Sequence, residues 1–160
     1  MLWSILPGQG VGALRFGMSQ LEVAALPDMG RAGHVYRGTG GQAMEYRGLA
    51  VPVCEYGRGG LCRIVAGRHV AALVYDGIEL FAINPAEVLR RLEQRFGPPR
   101  FCQEQLCFDR AGLILGGFYD VSDHAVFEPD NEYHDERSVT LCSPGLCGLP
   151  CEAEEAVSFL

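Results

Sequence analysis

Phe16-Gly17-Met18-Ser19-Gln20-Leu21-Glu22-Val23 and Phe81-Ala82-Ile83-Asn84-Pro85-Ala86-Glu87-Val88 are the stretches whose reading decides the fold. The second repeats the Phe, Glu and Val of the first at one fixed offset. Ser19 and Asn84 occupy the same place in the two copies, and either side chain accepts a hydrogen bond from an otherwise orphaned amide at a helix start. Glu22 and Glu87 follow three residues later, completing the pattern of a capping box. Pro85 sits at the first helical position, where its missing N–H is not needed. Farther on, Gly48-Leu49-Ala50-Val51 returns as Gly112-Leu113-Ile114-Leu115. These recurrences predict an α+β protein: a tandem duplication of a capped helix followed by an antiparallel sheet of about four strands. Residues 1–80 are expected to form the first module, 81–142 the second, and 143–160 a turn-rich acidic tail, with the two modules in one compact domain.

Outward from these stretches, Leu2 to Leu6 reads as a strand stopped by Pro7-Gly8, and Gly8 to Gly12 as a glycine-rich loop. Pro27 ends the first helix early. The glycine-rich stretch Asp28 to Gly41 reads as loop, with a short strand near His34-Val35-Tyr36. Strands are expected at Ala43 to Arg47, Leu49 to Tyr56, Leu61 to Ala66, Ala71 to Tyr75 and Ile78 to Phe81. Gly57-Arg58-Gly59-Gly60 and Asp76-Gly77 supply hairpin turns. In the second helix Val88, Leu89, Leu92 and Phe96 recur at helical spacing and form an apolar stripe. Gly97-Pro98-Pro99 stops it. Strands follow at Leu106 to Arg110, Leu113 to Tyr119, Ala125 to Glu128 and Ser138 to Cys142, and Glu152 to Phe159 reads as a short acidic helix.

The 160 residues are 48% hydrophobic and 21% charged, a balance that supports a packed core. All 13 basic residues are arginine, so every cation is a planar guanidinium suited to bidentate pairing. No run approaches the length of a membrane span, and the N-terminus lacks the basic and apolar regions of a signal peptide. The expected address is therefore cytoplasmic. On that basis the seven cysteines are expected to be reduced, with a disulfide among the tail cysteines as the alternative. Charge is divided unevenly: residues 1–100 carry 11 arginines against 8 carboxylates, and residues 101–160 carry 2 against 12. An acidic half argues for a basic protein partner and against nucleic acid.

The pattern Gly17-Met18-Ser19 with Glu22-Val23, and Pro85 with Glu87-Val88, Leu92 and Gly97-Pro98, resembles the "GM[S/T]xxEV…LGxP" signature of bacterial SmpA/BamE-like helix-plus-sheet modules. It also looks like the tandem modules of β-lactamase inhibitor proteins. The resemblance implies a non-catalytic binding module. The lipobox cysteine of the SmpA/BamE lipoproteins is missing, so their outer-membrane role is not implied.

The chemical motifs are weak. Gly8-x-Gly10-x-Gly12 lacks the spacing of a dinucleotide fingerprint, and no Lys-Ser/Thr follows as in a P-loop. Cys142, Cys147 and Cys151 with His134 fall short of a paired zinc knuckle. None of His34, His69, His124 and His134 lies in a nucleophile-base context. No enzyme, cofactor or metal site is expected. The stretch Tyr119 to Glu136 carries the binding expectation: Tyr119, Phe127 and Tyr133 as anchors, and Asp120, Asp123, Glu128, Asp130, Glu132, Asp135 and Glu136 as charges. A solvated hairpin loop is the plain alternative. In general character the chain resembles bacterial toxin-immunity proteins, which implies an inhibitor of a basic, secreted toxin domain. The other reading is an enzyme or small-ligand module with a site between the halves. The sequence leaves the oligomeric state open.

Overall fold

The computed structural model describes residues 2–120, 125–126, 136–145 and 157–160. In chain order the strands and helices are β1 (Trp3–Leu6), β2 (Gly10–Val11), β3 (Leu14–Arg15), α1 (Gln20–Ala24), β4 (His34–Arg37), β5 (Ala43–Tyr46), β6 (Val53–Gly57), β7 (Gly60–Gly67), β8 (Leu73–Tyr75), β9 (Ile78–Glu79), α2 (Pro85–Phe96), β10 (Arg100–Cys102), β11 (Gln105–Phe108), β12 (Leu113–Gly116), β13 (Tyr119–Asp120), β14 (Ala125–Val126) and β15 (Ser138–Cys142). They form an eight-stranded sheet of order β10-β11-β12-β15-β7-β6-β5-β4, a five-stranded sheet of order β3-β2-β1-β8-β9, and the pair β13-β14.

This corrects the expected fold class. The described part of the protein is mostly β, with two helices, the first only five residues long. It is not a duplication of a helix with four strands. The segment ahead of α1 supplies three strands, and β1 pairs in parallel with β8. The five-stranded sheet that results lies wholly within residues 3–79 and has no counterpart after α2 among the described residues. The physical reason lies at the glycine loop. Only glycine fits this position of β2, because a Cβ there would stand 1.9 Å from the Leu14 carbonyl oxygen. Its bare backbone lets β2 and β3 close into a tight hairpin, which composition alone reads as loop.

The helix caps form as local chemistry requires. Ser19 Oγ accepts from the Glu22 amide at 3.1 Å, while the Ser19 amide donates to Glu22 at 2.7 Å. Asn84 Oδ1 accepts from the Ala86 amide at 2.9 Å. Glu87 does not close a second box; it pairs instead with Arg90 and with Arg91, the latter at 2.8 Å.

Alternation along the strands sets the layers. One face of the large sheet carries Ala43, Cys54, Ile64, Leu106, Phe108, Leu113 and Leu141. It shares a single core with Val23 of α1, with Val88, Leu89 and Leu92 of α2, and with Trp3, Ile5, Leu73 and Ile78 of the small sheet. Each such buried leucine stabilises the fold by on the order of 2 kcal/mol. The opposite face is closed at one end, where Cys102, Cys107, Ile114 and Cys142 form a second buried cluster. At the β4 end that face is open.

Candidate functional site

The open end holds a groove of about 960 Å³. Its floor is one transverse row of the sheet: Tyr36 opposite Met44, Met44 opposite Glu55, and Glu55 opposite Arg63. Glu55 and Arg63 form a half-exposed pair at 3.5 Å. Tyr36 is 60% exposed and Met44 is also exposed, leaving apolar surface on the floor. Arg37 and Arg58 line the rim beside the two hairpin tips. The Arg58 guanidinium lies against the Gly38–Gln42 turn, where a Cβ on Gly40 would sit 3.6 Å from its nitrogens. Among the described residues neither Arg37 nor Arg58 has a carboxylate partner. The far wall is set by Gly60: its backbone runs so close to Gly17 and Met18 that the Leu61 amide donates to the Met18 carbonyl and the Gly17 amide to the Leu61 carbonyl, both at 2.8 Å.

β4 is an edge of the large sheet, and all four of its residues are exposed. The Gly38 amide donates to the Gln42 carbonyl at 2.9 Å. In an antiparallel pair bonded and non-bonded positions alternate, so Tyr36 and His34 turn their amides toward β5. The N–H and C=O groups of Val35 and Arg37 therefore face outward, and no described residue bonds them. The other edge, β10, is different. The Val157 amide donates to the Pro99 carbonyl at 3.1 Å. The Phe159 ring packs edge-on against Tyr119, centroids 5.4 Å apart, and Tyr119 against Phe101 at 5.9 Å.

Behind the groove, on the core side, lies a buried polar cluster. Glu45 accepts from the Tyr56 hydroxyl at 2.6 Å, from Arg47 at 3.1 Å and from Gln20 of α1 at 3.2 Å. Arg47 also donates to the Gly30 carbonyl at 3.1 Å, and its Nη1 is buried without a partner among the described residues. Burial, then the bond to Glu45, push the Tyr56 phenol well above its ordinary range. Burial pushes the neighbouring Cys54 thiol up to about 12. Cys62, in the groove wall, is raised as well, chiefly by burial. A thiol raised in this way is a poor nucleophile. The cluster ties α1 to β5 and β6. Its signal in the sequence is Glu45 at an inward strand position between Ala43 and Arg47, a carboxylate where alternation calls for an apolar side chain.

The residues expected to meet a partner are placed as follows. Tyr119 is on β13, its ring packed between Phe101 and Phe159. Asp120 ends β13, opposite Ala125. Glu136 is exposed, next to the buried Arg137, whose guanidinium carbon lies 5.6 Å from the centre of the Phe118 ring. Asp123, Phe127, Glu128, Asp130, Glu132, Tyr133 and Asp135 lie outside the described residues, as do His134, Cys147 and Cys151. The short strand expected near His34-Val35-Tyr36 is β4 (His34–Arg37), while its place at the edge of the large sheet has no signal in the sequence.

Cys54 and Cys62 are free thiols, while Cys102 and Cys142 are in disulfides, so the expectation of a fully reduced chain does not hold. A disulfide-bonded Cys142 has no thiolate to offer a zinc ion. Among the described residues no group of three or more His, Cys, Asp or Glu stands together as metal ligands, and no helix is long and apolar enough to cross a membrane. No protein family, curated protein or solved structure matches the chain.

Proposed function

We propose that this is a binding protein, not an enzyme, and that it holds a partner protein by adding a strand to β4. The bare edge carries this reading. One edge of the large sheet is covered, while the other presents outward-facing backbone groups at Val35 and Arg37 beside an open groove. Exposed edges of this kind are templates for strand pairing, in which main-chain bonds supply affinity and the flanking groove supplies selectivity.

The test uses proline, which removes a donor. At Arg37 the lost N–H points away from β5, so Arg37→Pro leaves the β4–β5 ladder intact. Affinity capture with the wild-type chain and with this variant is expected to recover a partner with the first and lose it with the second. A partner held equally by both would exclude β4.

The charge imbalance favours a second reading, that of an inhibitor or immunity protein for a basic toxin domain met by the acidic stretch from Tyr119 to Glu136. Replacing Asp130, Glu132 and Asp135 with Asn, Gln and Asn would then slow association and weaken its salt dependence. Association insensitive to salt in the wild-type protein would count against it. A cytoplasmic address belonged to this reading, and the disulfides at Cys102 and Cys142 weigh toward an oxidising compartment instead.

A further inference from the structure

From the charges beside the bare edge we infer the chemistry of the strand it accepts: an extended, acidic segment of a partner protein, with apolar residues alternating between its carboxylates. This rests on the reading of β4 as the docking edge and adds what selects the occupant.

The added strand pairs with the outward groups of Val35 and Arg37. These lie two residues apart, so they meet alternate residues of the incoming segment. Side chains of the added strand that fall on the groove side meet Tyr36 and Met44, which are exposed and apolar. Those that fall on the other face meet Arg37, which alternation turns to the side opposite Tyr36, and those near the hairpin tips meet Arg58. Both arginines line the groove, and neither is matched by a carboxylate among the described residues; the one carboxylate in the lining, Glu55, is engaged by Arg63. A guanidinium binds a carboxylate in a bidentate, charge-assisted fashion, so two unmatched arginines favour acidic strands and disfavour basic ones. The same charges act against edge-to-edge pairing of two copies of this chain, because that would bring two sets of unmatched arginines together. A cation-bearing edge of this kind admits a complementary strand and rejects its own.

The probes are two capped peptides, one of alternating glutamate and valine and one with each glutamate replaced by lysine. Binding is followed by calorimetry at low and high salt, and amide exchange locates it on the protein. The glutamate peptide is expected to bind, to slow exchange of the Val35 and Arg37 amides, and to bind on the order of tenfold more tightly than the lysine peptide at low salt. Arg37→Gln with Arg58→Gln changes only exposed side chains, so the melting temperature should hold while the preference disappears. Equal binding of both peptides at β4, lost in Arg37→Pro, would overturn the acidic selectivity and leave β4 as the docking edge. Failure of both peptides to protect the β4 amides would overturn the edge reading and this inference with it. So would concentration-dependent dimerisation of the peptide-free protein abolished by Val35→Pro, because the occupant would then be a second copy.

Discussion

The Tyr56 hydroxyl donates to Glu45 across 2.6 Å, and both side chains are almost fully buried. This bond lies on the core side of the groove floor: Tyr56 stands opposite Ala43, buried, and ties β6 to β5 through its oxygen. The carboxylate is shared with Arg47 and Gln20, so one buried charge ties α1, β5 and β6 together.

Tyr56→Phe removes the donor and leaves the buried carboxylate short of a partner. The expected cost is about 1–3 kcal/mol in urea denaturation. Glu45→Gln in the Tyr56→Phe background should cost more still, because the buried Arg47 guanidinium then loses the carboxylate that pairs with it. Additive losses in the double-mutant cycle would show that the bond carries no coupling.

The Cys54 thiol gives an alkaline signature. Burial holds its folded-state pKa near 12 against an ordinary 9.0. Between these values the unfolded chain releases a proton that the folded chain keeps, so stability present below pH 9 is lost as pH rises, at about 1.4 kcal/mol per pH unit. Cys54→Val should reduce the slope from pH 9 to 10, leaving there the part due to Cys62, whose thiol is raised in the same direction. A residual slope remains above 10, since Tyr56 is shifted in the same direction. An unchanged slope in the variant would assign the effect elsewhere.

Gly60 and Gly97 separate steric clash from backbone strain. Both have positive φ, +94° and +84°. A Cβ on Gly60 would stand 2.5 Å from the Gly17 carbonyl oxygen, whereas one on Gly97 meets open space. Gly97→Ala should cost about 1–3 kcal/mol, the strain of a backbone region, φ +84° with ψ 175°, that is essentially reserved for glycine. Gly60→Ala should cost distinctly more, because the Gly17–Leu61 bonds must also give way. Equal losses on thermal melting would remove the close approach from the account.

Glu93 secures the end of the chain. Its carboxylate accepts from the Ser158 hydroxyl at 2.8 Å and from the Phe159 amide at 2.6 Å. Glu93→Gln takes the charge out of both bonds: its oxygen can stay on the Phe159 N–H only with its NH2 turned to Ser158 Oγ, and each bond is weaker than with a carboxylate. Carboxypeptidase is expected to trim residues 157–160 faster from the variant, and the β10 edge should gain amide exchange. Unaltered trimming would mean that the aromatic packing of Phe159 suffices.

What was legible in the sequence was local. Ser19 with Glu22, Asn84 with Pro85, and Asp76-Gly77 announce their structures because cap and turn chemistry acts within a few residues. The stripe Val88, Leu89, Leu92 faces the core for the same reason: the period is written in adjacent turns. The two-residue strands β2 and β3 were not legible, since their pairing rests on a backbone approach at Gly10 rather than on a side-chain pattern. Nor was the Glu45–Tyr56–Arg47 cluster, which needs α1 laid across β5.

By itself, then, the sequence determined where helices begin, where hairpins turn and which side chains avoid water. Only the tertiary structure decided that β15 lies beside β7, that β1 runs parallel to β8, and that β4 is left as the open edge. Ladder hydrogen bonds join backbone groups that are alike in every residue. Nothing in a strand's own residues names its neighbour, so the partner is chosen by how the faces pack together. The candidate site is a product of that choice: Tyr36, Arg37, Arg58 and Arg63 are scattered along the chain, and they share a groove because four antiparallel strands place them there.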